Sequence, residues 1–311
     1  MNNKKVSVIM NCFNGAPYLK ESLSSLQNQK YTNWELIFYD NFSSDKSKQI
    51  VKSIADNRIK YYFSNIKKPL GMARSEAFNL ANGDYLGFLD TDDIWEKNKL
   101  EIQVNFLEKS KDIIMCYSNT MFFNDKKNFK LYKKKQPSGF IFEQLLKNYF
   151  ISFDTILFNN RLLKKNKIKI DPDFDLVHDM DLIIRSSKNY KIGYINKILS
   201  NWRMHEVSES AGKDEIFVNE KKKLLLKYDC YYNNDIKYYK FKPFLKDKIL
   251  RSEILIDIKK KKYNLVKPKL YNLKKNFKNL ILILICIIPF NKSILNLLNN
   301  TYLKKINNKL N

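Results

Sequence analysis

Three carboxylates fall within four residues at Asp90, Asp92 and Asp93, directly after the apolar run YLGFL at 85–89. Packed so closely they repel one another, so the cluster is costly unless a cation neutralises it. Hard oxygen ligands of this kind favour Mg2+ or Mn2+. The same residues have a second use that spacing alone leaves open. They suit a solvated acidic turn capping a helix that begins near Trp95, because helix N-termini favour acidic side chains. Two further polar runs also follow β-rich apolar segments: residues 11–14 (NCFN) after 6–10, and residues 40–45 (DNFSSD) after 34–39.

The elements that must position these runs alternate in type through the first 110 residues, the signature of βαβ units on a largely parallel sheet. Residues 6–10 read as a buried first strand. Pro17, tolerated in a first helical turn, opens a crossover helix on which Leu19, Leu23 and Leu26 recur at helical spacing. Residues 34–39 form a second strand, and Ser43 or Ser44 would cap a helix carrying Ile50, Val51 and Ile54. Residues 59–63 read as a third strand, 72–81 as a helix ending at Asn82-Gly83, and 85–89 as a fourth strand. In open α/β sheets ligands bind outside the carboxyl ends of the strands, where all three polar runs fall. No GxGxxG follows the first strand and no GxxxxGK[ST] occurs in the chain, which removes support for a dinucleotide fold and a P-loop.

The 311 residues are 44% hydrophobic and 14% aromatic, enough for a sizeable core, so global disorder is excluded. The net charge of +25 by itself suggests nucleic acid or an anionic membrane. Its distribution decides between them: residues 1–110 carry 15 basic and 13 acidic side chains, whereas residues 216–311 carry 23 and 6. The basic runs lie outside the α/β segment, and no zinc-finger spacing, RNP-like strand or helix-turn-helix pattern accompanies them, so no nucleic-acid partner is expected. Cys12, Cys116, Cys230 and Cys286 are widely spaced with no CxxC pair, which argues against a zinc site or a disulfide framework and favours a cytoplasmic setting. The N-terminal apolar run is too short for a signal segment. The longest apolar run, residues 280–290, contains Pro289 and falls short of the roughly 20 residues a spanning helix needs. With Ile294, Leu295, Leu298 and Tyr302 following at helical spacing amid lysines, it reads as an interfacial anchor on an anionic membrane, in competition with a soluble helical or oligomerising extension.

Five segments in order resemble glycosyltransferase family 2, the inverting nucleotide-sugar enzymes of the GT-A fold. They are VSVIMNCFNGAPYLKESLSSLQNQ, WELIFYDNFSSDKS, LGMARSEAFNLANGDYLGFLDTDD, FDLVHDMDLIIRS and LSNWRMHEVSES, together spanning roughly residues 5–210. The resemblance implies an α/β catalytic domain over 1–215 with a mostly parallel sheet, followed by a basic helical region over 216–311. It implies that Asp40, with Cys12, Phe13 and Asn14, takes the nucleotide base, and that Arg74 lies near the uracil or diphosphate. It further implies that Asp90 and Thr91 contact the nucleotide sugar, that Asp92 and His205 hold Mn2+ or Mg2+, and that Asp179 is the general base, with Asp181 and Arg185 on the helix that follows. Trp202 and Arg203 flank His205.

The chain departs from the family pattern at several of these places. Asn11, Cys12 and Phe13 replace Pro-Thr-Tyr, Asn41 replaces a second acid, Ser75 replaces an Asn, and His178 replaces a Glu before Asp179. The expected activity is metal-assisted transfer from a nucleotide sugar, favouring a UDP-sugar, to a glycan or lipid-linked saccharide in surface polysaccharide synthesis, at the cytoplasmic face of the inner membrane. A sugar-nucleotide-binding protein without catalysis and a metal-dependent nucleotidyltransferase are the competing readings. Asp179 and His205 have no place in the latter.

Overall fold

The structure is a computed structural model and describes residues 4–205 and 212–273. The expected anchor over 280–290 and the segment after it lie outside the described residues. The chain divides into two compact units, one of residues 1–145 with 151–211 and one of residues 146–150 with 212–311.

The first unit is built on one sheet, nine-stranded among the described residues. Its opening half follows the expected alternation: β1 (Val6–Cys12), α1 (Ala16–Gln27), β2 (Trp34–Asp40), α2 (Ser47–Lys52), β3 (Ile59–Phe63), α3 (Leu70–Leu80) and β4 (Tyr85–Phe88). β1 pairs in parallel with β2 and β4, and β2 with β3. Every residue of β1 and β2 is buried, as expected for parallel strands covered on both faces. Val6, Val8, Met10 and Cys12 join a core with Leu19, Leu23 and Leu26 of α1. Buried Ser7 points the other way and donates to Glu35 at 2.7 Å.

The acidic turn does not lead into a helix at Trp95. Ile94–Trp95 form β5, antiparallel to Asn201 and Ser200, and α4 (Lys99–Glu108) begins four residues later. Trp95 is 2% exposed; burying so large an apolar surface against a partner strand outweighs an early helix start. The capping role expected of Ser43 or Ser44 is also not found. The residue before α2 is Lys46 without a side-chain cap. The serines instead tie two strand ends together, Ser43 Oγ accepting from Asn14 N at 3.0 Å and Ser44 N donating to Asn14 Oδ1 at 2.9 Å.

The sheet continues through β6 (Ile113–Phe123), β7 (Asn128–Lys130), β8 (Leu157–Asn159) and β9 (Lys191–Arg203) in the order β3-β2-β1-β4-β8-β6-β9-β5, with β7 beside β6. The long β6–β9 pair is parallel, and β8 is antiparallel to both β4 and β6. Between these strands lie α5 (Phe142–Lys147), α6 (Asn160–Lys165) and α7 (His178–Ser187).

The second unit contains α8 (Asp214–Tyr231), α9 (Ile236–Lys259) and α10 (Tyr263–Tyr271). Ile254, Val266, Leu270 and Leu273 form a small core there. Part of its lysine excess is paired internally: Lys259 meets Asp214 at 2.6 Å, and Lys260 meets Glu215. Among the described residues no helix is long and apolar enough to cross a membrane.

One close approach fixes how α3 meets the segment before α7. No side chain of Pro69 caps α3. Its first amides are instead taken by Asp175 Oδ1, which accepts from Leu70 N and, at 3.4 Å, from Gly71 N. A Cβ on Gly71 would stand 1.7 Å from the Phe174 carbonyl oxygen, so the backbones can meet only through glycine. Gly71→Ala is expected to destabilise the protein by about 1–3 kcal/mol, the usual cost of overpacking, read as a lowered melting midpoint; an unchanged midpoint would show that this contact can relax freely.

Candidate active site

The three polar runs gather at the carboxyl ends of β1, β2 and β4, and each is held by different chemistry. At the end of β2, Asp40 is fully buried. Its Oδ1 accepts from Ser43 N at 2.8 Å and its Oδ2 from Tyr61 Oη at 2.6 Å. Tyr61 carried no sequence signal for this role. Asn41 accepts from Lys68 N at 3.0 Å and donates to Lys68 O at 2.8 Å. That pair of bonds needs both halves of an amide, which the acid usual in the family cannot supply.

At the end of β1, Cys12 is buried, and burial raises its thiol pKa. Phe13 is exposed, with Lys67 Nζ 3.7 Å from its ring centroid. Asn14 adopts φ 54°, a left-handed conformation that asparagine tolerates better than most residues, and this turns the strand end toward Ser43 and Ser44. Thr91 lies against Gly15, where an added Cβ would come within 2.9 Å of its Oγ1.

Arg74 links the acidic turn to α7. It projects from α3 and is 7% exposed. Its Nη2 pairs with Asp90 Oδ1, its Nη1 lies 2.8 Å from His178 Nε2, and its guanidinium stands 5.2 Å from the Phe153 ring centroid. Arginine has no acceptor and stays charged, so it donates and His178 Nε2 accepts. The proton of His178 therefore sits on Nδ1, which donates to Asp175 O at 2.8 Å. Burial, and then the neighbouring Arg74 charge, push the His178 pKa down to about 3. The histidine that replaces the family's Glu is thus a neutral link between α3 and the Asp175 turn. Asp179 follows it in the first turn of α7, half-buried. Asp181 is fully buried and paired with Arg185 at 2.6 Å.

Asp92 and His205 meet at 2.7 Å, Oδ2 to Nε2. The Asp92 pKa is raised by burial and then by the Asp90 charge, and the His205 contact opposes the rise. Arg203 closes the turn from β9, a function its sequence position beside His205 only hinted at. Its N donates to Asp93 Oδ1 at 3.0 Å, its Nε to Asp92 O at 3.0 Å and its Nη2 to Glu21 at 2.8 Å, and its guanidinium stands 4.5 Å from the Tyr18 ring centroid. Trp202 packs edge-on against Phe122.

No group of three or more His, Cys, Asp or Glu side chains among the described residues could hold a metal on protein ligands alone. Asp92 and His205 nevertheless fit a divalent cation. They present one hard oxygen and one imidazole nitrogen 2.7 Å apart, with the Asp90 carboxylate acting on Asp92. Mg2+ and similar ions are commonly held by one or two carboxylates together with substrate phosphates.

The state of His178 has a consequence for pH. In the unfolded chain it binds a proton near pH 6.5, whereas in the fold it resists protonation down to about pH 3. Between those values the unfolded chain holds the extra proton, so this contribution to stability is complete above pH 6.5 and is lost as pH falls toward 3. The drop in melting midpoint from pH 7.5 to 5 is expected to be smaller in His178→Gln than in the native protein. Equal drops would contradict a buried neutral imidazole.

Comparison with known proteins identifies the family and the fold. A family model described as Glycosyl transferase family 2 matches residues 7–168. The chain is 34% identical over 217 residues, 68% of its own length and 82% of the relative's, to the Escherichia coli protein WfgD, named UDP-Glc:alpha-D-GlcNAc-diphosphoundecaprenol beta-1,3-glucosyltransferase. It is 28% identical to the Escherichia coli protein WfaP, which bears the same activity name, over 67% of this chain and 80% of that one. Among solved structures, S. aureus TarS in complex with UDP-GlcNAc aligns with a TM-score of 0.63 at 21% identity, covering 80% of this chain and 72% of that one. A mannosyltransferase from Pyrobaculum calidifontis in complex with GDP-Man and Mn2+ aligns with a TM-score of 0.55 at 17% identity, covering 78% and 68%. The chain has the GT-A fold and belongs to glycosyltransferase family 2.

Proposed function

We propose that the protein transfers a hexosyl group from a UDP-sugar to a hydroxyl of a glycan or lipid-linked saccharide, inverting the anomeric carbon, during assembly of a bacterial surface polysaccharide. The observation that carries this reading is the contact chain Asp90–Arg74–His178, which joins the acidic turn to the first turn of α7 where Asp179 sits. The names of WfgD and WfaP support UDP-glucose as the first donor to test and a diphosphate-linked lipid saccharide as the acceptor class.

In this reading the strand-end loops receive the nucleoside. Phe13 offers an exposed ring for stacking, Cys12 and Asn14 shape the wall, and Asp40 holds the turn around it through Ser43 and Tyr61. Arg74, with both terminal nitrogens engaged by Asp90 and His178, lends its positive charge to the diphosphate from within the wall, while Asp90 and Thr91 line the sugar side. Asp92 and His205 would hold Mn2+ or Mg2+, which when bound supplies positive charge to the leaving diphosphate. Asp179 accepts the proton of the acceptor hydroxyl as its oxygen attacks the anomeric carbon from the face opposite the diphosphate. General-base assistance of this kind contributes about 10²–10⁴-fold. A single displacement inverts the centre.

Asp179→Asn and Asp92→Asn are each expected to lower turnover by about 100-fold or more, assayed with UDP-glucose and a lipid-linked GlcNAc acceptor. Near-normal turnover in either variant removes that residue from its role.

The basic region over 216–311 is proposed to hold the enzyme on an anionic membrane surface, at the cytoplasmic face of the inner membrane where a lipid-linked acceptor would be met. The lysine excess of that region supports this, because each lysine near an anionic leaflet adds about 1 kcal/mol. The full chain is expected to co-sediment with anionic vesicles more strongly than residues 1–215 do. Equal partitioning of the two would sink the membrane assignment.

A further inference from the structure

Behind the acidic turn lies a set of buried polar atoms that the proposed reaction does not use. Lys99, the first residue of α4, is 0% exposed, yet its Nζ has no hydrogen-bond partner. Lysine is almost never fully buried unless paired. Its ammonium stands 4.9 Å from the Trp95 ring centroid, and the Trp95 indole N–H is also unpartnered. One helical turn along, Gln103 donates to Thr155 O at 2.8 Å and leaves its Oε1 without a partner. Asp93, 1% exposed, accepts from Arg203 N through Oδ1 and leaves Oδ2 unpartnered.

These side chains are linked through Asp154. It immediately precedes the Thr155 whose carbonyl Gln103 holds, and its Oδ2 accepts from Ser200 Oγ at 2.6 Å. Ser200 is the strand partner of Trp95. The Asp154 charge acts on both Lys99 and Asp93. The set therefore contains two unmet donors, on Lys99 and Trp95, and two unmet acceptors, on Asp93 and Gln103. An unmet buried polar group costs about 1–3 kcal/mol, so a fold cannot leave four of them dry at little cost. Water, which donates and accepts at once, matches such a mixed set, and a buried water typically makes two to four bonds of this kind.

We propose that Lys99 is a positioning residue for the acidic turn, acting through ordered water enclosed with Asp93, Trp95 and Gln103. Its ammonium offsets the Asp154 carboxylate, whose charge bears on Asp93 in turn, and so steadies the turn on which Asp92 is carried. Asp93 is held from two directions, by the Arg203 backbone on one oxygen and by the hydrated ammonium on the other. Residues that support a metal ligand from behind govern how well the ligand is oriented. The inference rests on the reading of Asp92 as the residue that binds the cation of a UDP–metal complex.

The test is calorimetric titration of UDP into the full chain with and without Mn2+, in the native protein and in Lys99→Met, Asp93→Asn and the double variant. If the native protein binds UDP equally well with and without Mn2+, the assignment of Asp92 fails, whatever Lys99 does. If binding needs Mn2+, Lys99→Met is expected to weaken it about 10-fold, and by less than about threefold when Asp93 is already Asn, because interacting residues are non-additive. Equal factors in both backgrounds, or no weakening, would overturn the positioning role. A crystal structure of the native full chain tests the same point without any substitution. Ordered water bonded to both Lys99 Nζ and Asp93 Oδ2 is expected, and a dry cluster would overturn the proposal.

Discussion

A permanently charged guanidinium held inside the protein is the constraint on which the site depends. Arg74 cannot lose its proton, and removing such a charge from water costs several kcal/mol unless partners surround it. Asp90 supplies the opposite charge and His178 supplies a neutral acceptor. Each partner lies on a different segment, so satisfying one side chain fixes α3, the end of β4 and the start of α7 relative to one another. The requirement propagates outward. His178 can accept from Arg74 only with its proton on Nδ1, and that proton goes to the Asp175 carbonyl. The Asp175 carboxylate in turn caps the helix that carries Arg74.

The other side of the acidic turn is held from β9. Arg203 uses its backbone on Asp93 and its side chain on the Asp92 carbonyl, and two residues later His205 reaches the Asp92 carboxylate. Asp90 and Asp92 thus face different partners although one residue separates them: Asp90 pairs with Arg74, and Asp92 with His205. This division explains how three acids can crowd one turn. One is neutralised by arginine, one is paired with His205, and Asp93 is buried with its pKa raised well above the usual carboxylate range, chiefly by burial.

The parts of this arrangement legible in the sequence are those with local causes. The parallel strands through β4 announce themselves as short apolar runs between turn signals, and the acidic cluster by its spacing. Trp95 misled because an aromatic residue after an acidic run suits a helix start or a strand equally, and the deciding partner, Ser200, is more than a hundred residues away. Ser43 and Ser44 have the chemistry of helix caps, but Asn14 competes for them from another strand end. In the sequence His178 is only a departure from the family's Glu. Its position requires an acceptor toward Arg74 and a donor toward Asp175, which residue type alone does not disclose. Asn41 is a similar case, its amide being needed by the backbone of Lys68. Net charge gave the location of the lysine excess but not its pairing, and two lysines of the 259–262 run meet acids within their own unit.

In the proposed enzyme the shape of the Arg74 guanidinium, as well as its charge, organises the donor site. Lysine keeps the charge but presents one compact ammonium that cannot span Asp90 and His178 in the same planar way. Calorimetric titration of UDP in the presence of Mn2+ into Arg74→Lys tests this most directly. Affinity is expected to fall about 10-fold or more, the worth of a lost charge-assisted hydrogen bond to a buried partner. Native affinity in that variant would contradict it.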